Sequence, residues 1–478
     1  MDFMNKDYIE NATEVTEKEL KIPYRMKDVR KAAKKKLFTV FSTFAGGGGS
    51  STGYKLAGGD VRGIIEFQKV GVRGYLKNYP GTKFFCKDIR NVTGEQVLKR
   101  LRMEPGELDI FDGSPPCPPF SMSGSKRKGW NKTKTVYGFK QTNIEDLSFD
   151  VARLVGVVKP KVFICENVKG MTMEYAHDHF QSIMDAFANH DYEVGWRVFN
   201  AKNFGVPQAR ERVFIVGVRA DVWKAVTGKD LTSRVFSTLE GNKKGIIKDD
   251  TLCELWPQPL LNIPTLGDTI HDLMDDEENK KEYTEIMSRM KKQKRWEYLK
   301  KMPTEVPYNG DGSKWDGYTE FARTYFAERE NEWELLTDEQ KVLNPKFCWE
   351  NKKTGERILK RHLPDVHKEN RSDWKNISYV KYSGFQVRRV SWDKPSHTLT
   401  ERGLQVGTSA HLHPKYHRGF TSIEARRIMS LPDDYYLDGD LDKRLARVGL
   451  MVAPFQMKYL ADSIYKNILK KYKELVNA

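Results

Sequence analysis

The sequence predicts an α/β fold, a doubly wound sheet of parallel strands joined to a smaller second domain. Three observations carry that expectation. From Leu37 to Arg219, short runs of β-branched and aromatic residues alternate with helical stretches. Directly after the first of these runs comes a glycine-rich turn, "FAGGGGSSTGYKLAGG", Phe44 to Gly59. From Ala220 to Gln386 the alternation is lost, and order returns between Val387 and Ala478.

Taken in order, residues 1–36 are polar and end in "RKAAKKK", which reads as a solvated basic helix or arm extending from the fold. The runs "LFTVFSTF", "GIIEF", "KFFCKDI", "LDIFDG", "KVFICENV", "YEVGWRVFN" and "RVFIVGVR" are expected strands of a domain spanning 37–219. Glu95–Met103, Glu145–Val158 and Tyr175–Asn189 are expected helices between them. The segment 220–386 holds seven of the ten tryptophans and the basic stretch "MKKQKRWEYLKK", and reads as the second domain. In 387–478, Thr421 and Glu424 have the spacing of a helix capping box, and "PFQMKYLADSIYKNILKKYKELV" is a closing helix.

Lys and Arg number 81 against 65 Asp and Glu, a formal net charge of +16, which favours a polyanionic partner. No run of about 18 apolar residues is present and the first residues are charged, so no membrane partner is expected. The five cysteines are scattered, with no CxxC pair and no Cys/His spacing suited to zinc. A reducing, cytoplasmic location and no metal are therefore expected.

Ligands of such a sheet sit beyond the carboxyl ends of its strands. The glycine turn lies at one such end, and Glu66 ends the second strand, where a carboxylate accepts hydrogen bonds from ribose hydroxyls. Gly46 and Gly48 are followed by Ser51, so G-x-G-x-x-G is incomplete and a dinucleotide is disfavoured. Asp88, after the third strand, either reaches an adenine amino group or makes a plain turn. After the fourth strand, "DGSPPCPPFSMSG" packs prolines on both sides of Cys117. Proline fixes φ and restricts the residue before it, so this is a preorganised presentation of one thiol, and no periodic apolar neighbours exist to bury it. Glu166 in "FICENVKG" is placed as an acid or hydrogen-bond donor beside that nucleophile, unless it only pairs with a surface lysine. In "NFGVPQARERVFIVG", Gln208, Arg210 and Arg212 alternate, so the two arginines are expected on one face, solvated or gripping a phosphate or base carbonyl.

These motifs, in this order, resemble the cytosine-5 DNA methyltransferases. "FAGGGG", Glu66, "KDI", "PPCPPFS", "ENV", "QARER", "SWDKPSHTLT", "HPKYHRGFTSIEARRIMSLPDD" and "VGLMVAP" all stand where that family has its motifs. The resemblance implies a Rossmann-like methyltransferase sheet, S-adenosylmethionine as cofactor, double-stranded DNA as substrate, and 220–386 as a target-recognition domain. It implies that Cys117 adds to carbon 6 of a flipped-out cytosine, that Glu166 donates to ring N3, and that Arg210 or Arg212 grips the base carbonyl. Phe44 then stacks on adenine, Glu66 binds ribose, Asp88 meets the adenine amine and Ile89 packs on the ring. Ala45, Gly46, Gly48, Phe67, Pro116, Leu450 and Val452 complete the implied cofactor site. Ser121 with Lys126, Arg127 and Lys128 is implied to form a loop closing over DNA. A monomer in a bacterial or phage-infected cell, with a restriction-modification role, is expected. Three positions depart from the family pattern: no acidic residue precedes "FAGG", Pro118 follows the cysteine where Gln is common, and Leu450 stands where Asn is usual. A tRNA cytosine methyltransferase, an enzyme using a modified donor, and an idle DNA-binding protein are the competing readings.

Overall fold

The computed structural model describes residues 21–116, 146–232, 252, 255–292, 296, 388–401 and 411–477, with further short stretches at 134–136, 139–141, 348–355, 357–359 and 374–376. Contacts divide the chain into two units, Met1–Lys292 with Val390–Leu404 and Arg418–Ala478, and Gln293–Arg389 with Gln405–His417.

The first unit holds a seven-stranded sheet made of β1 (Thr39–Thr43), β2 (Asp60–Ile65), β3 (Lys83–Phe85), β4 (Ile110–Gly113), β5 (Val162–Val168), β6 (Tyr192–Asn200) and β7 (Glu211–Arg219). Their order across the sheet is β3-β2-β1-β4-β5-β7-β6; five of the seven strands fall within runs expected from the sequence, while β2 begins three residues before its run, at Asp60, and β7 one residue before, at Glu211. β1 through β5 pair in parallel. β7, however, is antiparallel to both β5 and β6, which corrects the expectation of an all-parallel sheet. The reason lies in the connection: only residues 201–210 join β6 to β7, and a parallel return needs a crossover of about a dozen residues or more.

Helices cover both faces. On one side α4 (Gly94–Leu101), α5 (Leu147–Val158) and α6 (His177–Ala188) close a core in which Phe41, Phe111, Val151, Val155, Phe163 and Phe187 are wholly buried. Phe163 and Phe187 stack with ring centroids 4.0 Å apart. On the other side α2 (Gly49–Leu56) packs against α12 (Pro454–Ile464). That contact depends on glycine. A Cβ on Gly53 would lie 2.5 Å from the Pro454 carbonyl oxygen and 2.6 Å from Met457 Cβ.

The described part of the basic N-terminal segment is docked, not a solvated arm. In α1 (Met26–Ala33) the residues Met26 and Val29 are buried, as is Tyr24 before it. Tyr24 Oη donates to the Ser430 carbonyl at 2.7 Å, and the Met26 N–H donates to Asp434 Oδ1 at 2.7 Å. Lysines on its far side keep the segment basic.

The division between units falls after Lys292, not at Ala220. α7 (Ala220–Thr227), α8 (Leu266–Ile270) and α9 (Glu277–Lys291) belong to the first unit, because Leu266, Ile270 and Leu273 bury their side chains with Val390, Phe420, Ile423 and Ile428. α10 (Ser422–Ile428) opens with the expected capping box between Thr421 and Glu424. α11 (Leu441–Leu450) then leads into α12. α3 (Lys69–Asn78) stands between β2 and β3. In the second unit, Cys348–Asn351 pairs antiparallel with Arg357–Leu359 and Trp374–Asn376, and Arg388–Arg389 pairs parallel with His411–Leu412. No helix among the described residues is long and apolar enough to cross a membrane.

Gly53→Ala should lower stability by about 1–3 kcal/mol, the usual effect of overpacking a close contact. Urea denaturation measures it, and a melt unchanged from the parent would remove the α2–α12 contact from the structural argument.

Candidate active site

β1 ends at Thr43, and the chain turns there through left-handed conformations at Phe44 (φ 55°), Gly46 (φ 52°) and Gly48 (φ 90°) before α2 begins. A non-glycine residue at positive φ is strained, so the turn is held from outside. Glu66, at the end of β2, does much of this. Its carboxylate accepts the Gly46 N–H and the Gln68 N–H, each at 2.8 Å. Burial pushes its carboxyl up, and those backbone donors together with Arg447 pull it back.

The turn forms one end of a cavity of about 1170 Å³ along the carboxyl edge of the sheet. Phe44, Ala45, Gly46, Glu66, Phe67, Asp88, Ile89 and Pro116 line the cavity. Gly48 does not line it. A Cβ there would meet Tyr435 Oη at 2.5 Å, so this glycine serves the packing beneath the turn. Asp88 lies on the wall but already pairs with Arg90 at 2.6 Å and caps the short helix that follows. Its carboxyl is held low, first by that hydrogen bond. Leu450 and Val452 reach the cavity from the end of α11.

The other end belongs to β5 and β7. Glu166 is 7% exposed and stands 3.0 Å from Arg212 Nε. Burial pushes its carboxyl above the usual range, against the pull of Arg212 and Arg210. Such a group keeps its proton to a higher pH than a solvated glutamate does. The adjacent Asn167 donates to the Pro115 carbonyl at 3.2 Å and so fastens the proline segment to β5. Asp112, at the end of β4, is fully buried, accepts from Ser42 Oγ at 2.6 Å and Tyr54 Oη at 3.0 Å, and is pushed by burial to about 7.

The two arginines part company. Arg212 stays with Glu166. Arg210, 2% exposed, donates to the carbonyls of Leu399 (3.1 Å), Gly449 (3.1 Å) and Met451 (2.9 Å). Its guanidinium is thus committed to backbone, which corrects the expectation that either arginine serves the base equally. Gln208 acts similarly, donating to the Ile428 carbonyl at 3.3 Å and accepting the Leu399 N–H at 3.0 Å. Asn167, Asp112 and Arg447 were missed from the sequence; only Asn167 carried a signal, its place in "ENV". Cys117, Ser121, Lys126, Arg127 and Lys128 lie outside the described residues. Cys117 is joined directly to Pro116 on the cavity wall.

The family model for C-5 cytosine-specific DNA methylase matches residues 38–466. The chain belongs to this family. It is therefore a DNA methyltransferase acting on carbon 5 of cytosine, an enzyme whose substrate is DNA. Among similar proteins, the type II methyltransferase M.Sau96I of Staphylococcus aureus is 25% identical over 439 residues, covering 91% of this chain and 78% of its own length. A protein of Oceanobacillus iheyensis named as a type II methyltransferase is also 25% identical, covering 91% of this chain and 96% of its own. The fold is shared with a crystal structure described as a DNA modification methyltransferase encoded within an E. coli prophage, at TM-score 0.52, 17% identity, and coverage of 91% and 99%.

Exchanging each arginine for lysine separates their tasks. Arg210→Lys loses carbonyl hydrogen bonds in a buried place and should cost about 1–3 kcal/mol of stability. Arg212→Lys, beside the cavity, is expected to lower methylation with a smaller change in stability. Equal denaturation curves for the two variants would overturn the distinction.

Proposed function

We propose that this methylase transfers a methyl group from S-adenosylmethionine to carbon 5 of a cytosine flipped out of double-stranded DNA, by way of a covalent Cys117 adduct. The observation that carries the proposal is the pairing, within one cavity, of a buried acid, Glu166, with a backbone-braced acceptor, Glu66.

The residues at the first end suit the cofactor. Glu66 accepts the N–H groups of Gly46, Gln68 and Phe67, and a carboxylate with about four lone-pair sites keeps capacity for a ribose hydroxyl. Phe44, Phe67 and Ile89 supply apolar surface for an adenine ring. Gly46 leaves space beside the turn, since a Cβ there would have only the Phe44 carbonyl oxygen within reach, at 3.7 Å. S-adenosylmethionine bound here supplies the methyl group that carbon 5 accepts.

Everything else falls to the chain itself. A duplex hides its bases, so the target enters the second end of the cavity as a flipped nucleotide. The Cys117 thiolate adds to carbon 6, breaking the 5,6 double bond and making carbon 5 nucleophilic. Glu166 donates its proton to N3 as that charge develops, with Arg212 beside it to hold the carboxyl and the base carbonyl. Once carbon 5 is methylated its proton passes to a solvent base, the electron pair restores the double bond, Cys117 leaves as thiolate, and N3 returns its proton to Glu166. Arg210 holds the Gly449–Met451 backbone that forms the cavity wall. The segment with Ser121, Lys126, Arg127 and Lys128 closes over the DNA, and the Trp-rich region within 220–386 reads its sequence. The relatives named as type II methyltransferases favour a restriction-modification role, and the reading places the enzyme as a monomer in a bacterial or phage-infected cytoplasm.

A duplex containing 5-fluorocytosine should trap the enzyme as a complex stable to denaturation, and Cys117→Ala should form none. Bisulfite sequencing of DNA from an expressing host reports the target base and its context; unmodified cytosines throughout would defeat the assignment. Glu166→Gln is expected to lower kcat by about 10²–10⁴-fold, as for removal of a general acid. It should also flatten the alkaline limb of the kcat profile, because activity falls as pH rises through the raised Glu166 pKa and glutamine has no proton to lose.

A further inference from the structure

We propose that Arg447 is a positioning residue of the donor site, setting the affinity for S-adenosylmethionine through Glu66. The inference rests on the cofactor reading of the cavity and extends it to a residue that no motif marks.

Arg447 comes from α11, far along the chain from the turn it serves, yet it lines the same cavity. Two glycines show where its side chain runs. A Cβ on Gly47 would stand 3.0 Å from Arg447 Cγ, so the aliphatic stem lies along the glycine turn. A Cβ on Gly71 would stand 2.9 Å from Glu66 Cγ and 3.3 Å from Arg447 Nη1. The stem of Glu66 and the tip of Arg447 therefore converge over one point of α3, and the absence of a side chain there is what admits both.

The electrostatics agree with this placement. Glu66 is buried, and burial works against its charge. Gly46 and Gln68 support the carboxylate through hydrogen bonds, and Arg447 supports it through space. Other charged groups reach this end of the cavity from each neighbouring element. Lys69 opens α3, Lys87 and Asp88 follow β3, and Lys443 precedes Arg447 on α11. Asp88 is engaged by Arg90, and Lys443 by Asp440 at 2.7 Å. Beneath the turn, the Tyr435 phenol donates to the Gly47 carbonyl at 2.5 Å. Among these cations, Arg447 is the one whose charge holds the Glu66 carboxyl down. A charged acceptor binds hydroxyl groups more strongly than a neutral one. Removing Arg447 thus weakens donor binding without touching the methyl-accepting end.

The test is calorimetric binding of S-adenosylmethionine to the full-length protein, with steady-state kinetics beside it. Arg447→Met and Arg447→Gln should each raise the donor Kd and KM by about tenfold, the loss of roughly one charge-assisted contact, with kcat at saturating donor nearly kept. The loss should deepen as pH falls, since Glu66 then takes up its proton earlier than in the parent. Arg447→Lys should restore most of the affinity. In a Glu66→Gln background, removing Arg447 should have little further effect. Unchanged donor affinity in both neutral variants overturns the proposal, and so does an undiminished effect in the Glu66→Gln background. Failure of the parent protein to bind the donor would instead defeat the cofactor reading itself, and the proposal with it.

Discussion

The cavity depends on one buried cation. Arg210 is bound by three carbonyl oxygens, one from the segment after Val390 and two from Gly449 and Met451 at the end of α11, and among the described residues no carboxylate is hydrogen-bonded to it. Burying a guanidinium is costly unless its donors are satisfied. Here charge-assisted bonds from Nη1 and Nη2 to backbone offset part of the cost; burial, and then Arg212, work against the charge, and Glu166 works for it. Because the partners are main-chain atoms, the clamp fixes the path of the chain and not the identity of a side chain. That is how Leu450 can stand where the related enzymes usually have asparagine. Its neighbours' carbonyls are held, while its own side chain stays 38% exposed on the cavity wall.

A second constraint runs through glycine. The glycines of the turn and of α2 are read most simply as a loop opened for a ligand, but several of them admit another part of the protein. A Cβ on Gly49 would collide with the Val452 carbonyl oxygen, and one on Gly449 with the Thr400 carbonyl. The C-terminal segment is thus laid directly against the first helix of the sheet, backbone to backbone. Gly46, by contrast, leaves space at the cavity. One run of four glycines therefore serves two purposes, and the purposes differ residue by residue.

This divides what the sequence reveals from what it conceals. Strands β1 to β7 were legible because their β-branched and aromatic runs are local signals, and so was the capping box at Thr421 and Glu424. The antiparallel β7 was also written in the sequence, in the short connection after β6, but composition alone did not weigh it. Arg210 and Arg212 look equivalent because alternation places them on one face. Their separation comes from partners almost 190 residues or more away, and no local pattern encodes those. Glu66, Phe44 and Ile89 stand out in the sequence because they lie just beyond strand ends, the place where this class of sheet gathers ligands, and all three line the cavity. Arg447 follows no strand, and only the fold brings it to them.

The two buried glutamates show how one cavity carries opposite chemistry. Both are pushed up by burial, so desolvation by itself would make both into acids. What separates them is the kind of partner. Glu66 accepts the backbone N–H groups of Gly46, Gln68 and Phe67, fixed donors that favour the charged form and hold the carboxylate as an acceptor. Among the described residues Glu166 Oε1 has no hydrogen-bond partner and instead faces Arg212 Nε at ion-pair distance. A carboxyl supported by charge but short of hydrogen bonds is the one that gives and takes a proton most readily, since its partner in the reaction can supply the missing bond. In the proposed reaction the flipped base, offering N3 as acceptor and an exocyclic amine as donor, is that partner, and it would bring the bond only when it arrives.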